Sequence, residues 1–115
     1  MNINPTQQII AARVVAHAQA KDRNFSVDPS TIVAIINCII AVMKLLYYCY
    51  TTRDGVISNI KKSGLIHNLL LKREIRRNFK DKGKRKAVFI GMRDVAKNLS
   101  QDEIDSLLDS VIGDN

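Results

Sequence analysis

From Ile32 to Tyr50 the chain runs for nineteen residues with only two strongly polar members, Asn37 and Lys44. A helix that is apolar on nearly every side is either the central helix of a core or a membrane span. Asp28-Pro29, just ahead of the run, is a helix start, with Asp as cap and Pro at the first helical position. A helix is therefore expected over about 29–52, with Gly55 just past its end. About 20 residues cross a bilayer, so length permits a span. Lys44 would cost about 2.5–3.5 kcal/mol at mid-bilayer. The bias of Lys and Arg towards the C-terminal side would suit a cytoplasmic tail. Against a span, the helices expected on both sides are amphipathic and need a surface to cover, which a central core helix supplies. The expectation is an all-α fold, a small bundle of four to six helices around the helix at about 29–52. A membrane-anchored adaptor with span 32–50 is the alternative.

The flanking elements carry their own signals. Asn4-Pro5 repeats the cap-plus-proline start and opens a helix to about Lys21, with Ile10, Val14 and Ala18 at four-residue spacing and Ile9 and Val15 widening the stripe. Asn24 to Asp28 reads as a turn. Val56 to Lys62 fits a short helix ended by Ser63-Gly64. A basic helix is expected over 65–82, with Ile66, Leu70, Leu71, Ile75 and Phe79 on its apolar side and Gly83 as its stop. Val88, Met92, Val95 and Leu99 have helical spacing, although Val88-Phe89-Ile90-Gly91 also fits a short strand; helix is the expectation. Ser100 and Glu103 form the two halves of a capping box, and Leu99 and Ile104 hold the positions of a hydrophobic staple. Residues 1–98 are thus expected to form a helical domain. Residues 99–115 are expected to form an acidic amphipathic helix packed on it through Ile104, Leu107, Leu108 and Val111.

Charge is sorted along these elements. Lys61 to Arg93 carries a net +10, Asp94 to Asn115 a net −5, and the first sixty residues a net +2, within a total of +7. A basic block this dense meets nucleic acid, an acidic protein or a membrane surface. The candidate binding residues are Lys72, Arg73, Arg76, Arg77, Lys80, Lys84, Arg85 and Lys86, extended by Lys82. Residues 73, 76, 77 and 80 share a helical face and could follow one phosphate backbone. Arginine suits bidentate phosphate contacts. The block lacks interleaved aromatics, which argues against recognition of single strands by stacking. Binding is expected to be independent of base sequence. The competing explanation is a solvated face that keeps an aliphatic protein in solution.

Chemistry of the enzymatic kind finds no foothold. His17 and His67 stand far in sequence from any plausible partner, and no P-loop, HExxH or paired-cysteine metal pattern occurs. No Gly-containing loop of alternating ligands suggests calcium. Cys38 and Cys49, eleven residues apart, would stand about 16 Å apart on one helix. That is beyond disulfide reach, so both are expected to be reduced core residues. No cofactor and no metal are expected.

Leu99-Ser100-Gln101-Asp102-Glu103-Ile104-Asp105-Ser106-Leu107-Leu108 resembles the short N-terminal peptide of bacterial flagellar motor switch proteins. The resemblance implies a helix that docks on a chemotaxis response regulator. It covers ten residues, at the opposite end of the chain from where that family carries them. More generally, a short acidic amphipathic helix at a chain end suits docking. Closing the chain's own core is the competing role for the same stripe. The chain is therefore expected to be a non-enzymatic structural or assembly protein with a basic face for nucleic acid or an acidic partner. A component of a virus or phage particle would suit that description. A signalling partner that docks through the C-terminal helix is a further alternative. The N-terminal residues lack the pattern of a secretory signal, so an intracellular or in-particle setting is expected.

Overall fold

The computed structural model describes residues 4–49 and 68–112, without the side chains of 48 and 49. Among the described residues there are five helices and no strand, an all-α fold: α1 (Pro5–Lys21), α2 (Pro29–Cys49), α3 (Asn68–Asn78), α4 (Lys82–Lys97) and α5 (Gln101–Ile112). The expected short helix at Val56 to Lys62, the Ser63-Gly64 turn, the first residues of the basic helix, His67 and the ends of the 29–52 and 99–115 segments lie outside the described residues. So does the side chain of Cys49.

Side-chain oxygens start the helices. Asn4 Oδ1 accepts from Thr6 N–H at 2.8 Å. Asp28 Oδ1 accepts from Thr31 N–H at 2.7 Å and from the hydroxyls of Ser30 and Thr31. At α5 the capping box closes in both directions: Glu103 N–H donates to Ser100 Oγ at 3.2 Å, and Ser100 N–H donates to Glu103 Oε1 at 3.1 Å. Each contact satisfies a backbone N–H that the helix cannot pair internally. After α1, Phe25 turns into the core, with its N–H bonded to the Asp22 carbonyl.

One start was misread from sequence. The break between the basic helix and the helix that follows it falls at residues 79–81, ahead of the expected end near Lys82. α3 ends at Asn78, and Asp81 caps α4, accepting from Gly83 N–H at 2.7 Å and Lys84 N–H at 3.2 Å. Gly83 therefore lies in the first turn of a helix and stops none. A carboxylate two residues ahead of the glycine outweighs it, because it captures two N–H donors at once.

The core is aliphatic and shared by all five helices. α2 packs against α1, α3 and α5, as a hub should. The most extensive pairing, however, is α1 with α4. Small residues bring these two together: Ala11 and Ala18 on α1 and Ala87, Gly91 and Ala96 on α4 are buried. Ala11 takes the inward position expected of Ile9, which is 54% exposed. Gln7 Nε2 donates to Ser110 Oγ at 2.8 Å, and Arg13 pairs with Glu103 at 2.6 Å, joining α1 to α5.

On α2, Ile35, Ile36, Ile39, Val42 and Met43 are buried, while Ile40 is half-buried and Val33 exposed. Residues Pro29–Tyr47 are long and apolar enough to cross a membrane, with mean hydropathy 2.0 over their apolar window, 44% of it buried within the fold. The Cys38 thiol is buried. Desolvation pushes it up to about 12, with the Glu74 carboxylate adding to the effect and the Asn78 amide, 3.5 Å from Sγ, opposing it.

Candidate nucleic-acid interface

The α3–α4 turn brings the end of one basic helix against the start of another. α3 buries Leu71, Glu74 and Ile75, which leaves Lys72, Arg73, Arg76 and Arg77 exposed. α4 buries Ala87, Val88, Gly91 and Met92, which leaves Lys82 and Lys86 exposed and Lys84 and Arg85 half-buried. Between the two helices runs an open groove of about 210 Å³. Lys72 and Arg76 from α3 and Arg85 and Lys86 from α4 line it, with Ile75 and Phe89 as its apolar surface. No acidic side chain lines it.

The eight candidate cations do not act as one row. Four of them, Lys72, Arg76, Arg85 and Lys86, gather at the groove. Arg73 stays exposed on α3, and Lys80 is exposed on the connector between α3 and α4. Arg77 sits 3.7 Å from buried Glu74, which offsets part of its charge. Lys84 donates to Thr31 Oγ1 at 3.4 Å and so faces the start of α2. Arg85 donates through Nη2 to the Lys80 carbonyl at 2.9 Å, while its buried Nε finds no acceptor among the described residues.

The acids nearest in sequence are occupied. Asp81 caps α4, Glu74 faces Arg77, and Asp94 lies 3.7 Å from His17 on α1. Glu103 of the acidic helix pairs with Arg13 rather than with the basic segment. The first turn of α4 contains no acid. It contains Lys82, Lys84 and Arg85 instead, at the end of the helix where the backbone dipole is already positive. The Asp81 carboxylate at the cap offsets part of this positive charge.

Two participants escaped the sequence reading, which expected no aromatic among the cations. Phe89 has the Lys72 ammonium 5.7 Å and the Arg93 guanidinium 5.7 Å from its ring centroid. Such cation–π pairs contribute about 0.5–1 kcal/mol at exposed sites. The available signal was the four-residue spacing of Arg85, Phe89 and Arg93, which defines one ridge once the segment is taken as helix.

The docking residues of the C-terminal helix, Ile104, Leu107, Leu108 and Val111, are all buried in the chain's own core. A partner could reach that stripe only if α5 came away from α1 and α2. Among the described residues no group of three or more His, Cys, Asp or Glu could hold a metal ion. No protein-family model, no curated protein and no solved structure matches this chain.

Proposed function

We propose that this chain is a non-enzymatic structural or assembly protein that binds nucleic acid through phosphate contacts at the α3–α4 groove. The observation that carries the reading is the convergence of Lys72, Arg76, Arg85 and Lys86, from two helices, on one groove with no acid in its lining. A merely solvated face would spread its cations apart and intersperse acids; these are drawn together where the α4 dipole makes repulsion worse. Side chains on helices of a packed core hold their positions well enough to follow a phosphate backbone. No residue set is arranged for base edges in a duplex, so duplex binding is independent of sequence. A particle in which protein lies against packaged nucleic acid, as in a virus or phage, would use such a surface.

The test is a titration of duplex DNA over a range of salt. Affinity falls by about 0.9 log unit per neutralised phosphate for each tenfold rise in salt. Arg76→Gln combined with Lys86→Gln lowers that slope while circular dichroism stays unchanged. Absence of duplex binding at low salt would overturn the reading and make an acidic protein surface the partner to seek.

A further inference from the structure

A groove lined only by cations would suit phosphate alone. This one is also lined by an aromatic ring, half-buried against the core. Phe89 has cations of both helices over its ring and lines the groove together with Ile75, which is itself only 2% exposed. The groove thus combines an apolar lining with a cationic one. Its volume of about 210 Å³ falls below the roughly 300–1,000 Å³ of pockets that enclose a drug-sized ligand, so it suits a single ring system.

We infer that the α3–α4 groove takes one unpaired nucleobase against Phe89 while Lys72, Arg76, Arg85 and Lys86 hold the neighbouring phosphates, giving the basic face a preference for single strands. The inference rests on the phosphate-binding reading above and adds to it. In a duplex both faces of each base are covered by its stacked neighbours, so Phe89 has nothing to receive. In a single strand the base can leave the stack and lie on an aromatic side chain, with cations tracking the backbone on either side. Lys72 is exposed on a flexible stem. Its ammonium can move from the ring to a phosphate as a base arrives, exchanging a weak cation–π contact for a charge-assisted hydrogen bond. Arg93, over the ring from α4, adds its charge to the same site, and the base takes the place that Lys72 leaves. The unpartnered Nε of Arg85 is a donor whose cost an entering phosphate oxygen would relieve after a small side-chain adjustment.

Three ligands of matched phosphate number separate base from charge: oligo(dT), the same backbone without bases, and a DNA duplex, each followed by fluorescence anisotropy at low salt. Oligo(dT) is expected to bind about 5- to 150-fold more tightly than the abasic strand, the range for one stacked base. Phe89→Leu is expected to bring oligo(dT) down to the abasic level with the duplex unaffected, and Phe89→Tyr to retain the difference. Equal affinity for oligo(dT) and the abasic strand overturns the base site, whether or not Phe89→Leu folds, because that comparison uses the unaltered protein. If both single strands and the duplex bind equally, the phosphate-binding face stands without the base site. If none of the three binds, both readings fall.

Discussion

A Cβ built on Gly91 would stand 2.5 Å from the backbone carbonyl oxygen of Val14. The two helices meet backbone to backbone at this point, and Ala18 N lies only 3.3 Å from the same position. Neither contact is with the end of a flexible side chain, so relief requires α1 and α4 to move apart. In an ordinary helix interior, Gly→Ala stabilises by about 1 kcal/mol. Here Gly91→Ala should reverse that sign and destabilise by about 1–3 kcal/mol through overpacking. Equilibrium denaturation measures it; a gain in stability would show that the helices are free to separate.

The crowding of charge at the start of α4 predicts a trade between stability and binding. Lys82 occupies the first helical position and is exposed. Lys82→Gln should stabilise the fold by about 0.3–1 kcal/mol at low ionic strength. The gain should shrink in high salt, which screens exposed charges. Duplex affinity should fall in the same variant. Thermal unfolding at two salt concentrations, beside a binding titration, checks both halves.

Asp28 gives the fold a definite response to acid. Its carboxyl is lowered from 3.8 to about 2, first by the Ser30 hydroxyl, then by the hydroxyl and N–H of Thr31, with the Lys84 charge assisting. A depressed carboxyl favours the folded state when ionised. The contribution is therefore complete above about pH 4 and is lost as pH falls towards and through about 2. Asp28→Asn keeps an acceptor at the cap without the titration, so the difference in stability between the two proteins should narrow across that window. A difference that stays constant from pH 5 to pH 2 would mean that the cap is not coupled to the fold.

α5 allows its cap and its stripe to be tested apart. Ser100→Ala removes the hydroxyl that receives Glu103 N–H and should cost about 1 kcal/mol. Leu108→Ala empties a fully buried site and should cost about 2–5 kcal/mol. Hydrogen exchange at Leu107 and Leu108 should be slow in the isolated protein. Fast exchange there would detach α5 from the core and favour docking on a partner.

Local chemistry was the legible part of this sequence. Asn4-Pro5, Asp28-Pro29 and Ser100 with Glu103 begin helices because each places an acceptor within reach of unpaired N–H groups, a matter of three or four residues. The apolar run was legible as a helix, and its neighbours on three sides follow from its composition. Finer facing was less so. Ile39 is buried and adjacent Ile40 only half so, and Ala11 lies inward while Ile9 does not, since small residues win where helices approach most closely. The break at Asp81 was hidden by a glycine that offered an easier stop. With that break went the groove, because Arg85 and Lys86 were expected in the connection rather than on the second helix beside Phe89.

Gln7 and Ser110, bonded across α1 and α5, are 103 residues apart in sequence. The α1–α4 crossing at Val14 and Gly91 is likewise between distant parts of the chain. During synthesis α1 can meet α2 early, but the side that carries Val14 and Ala18 stays uncovered until α4 has left the ribosome. Closing so large a loop slows folding and leaves an apolar stripe available to neighbouring chains. Fragments ending before α4 should accordingly aggregate rather than persist as partial bundles.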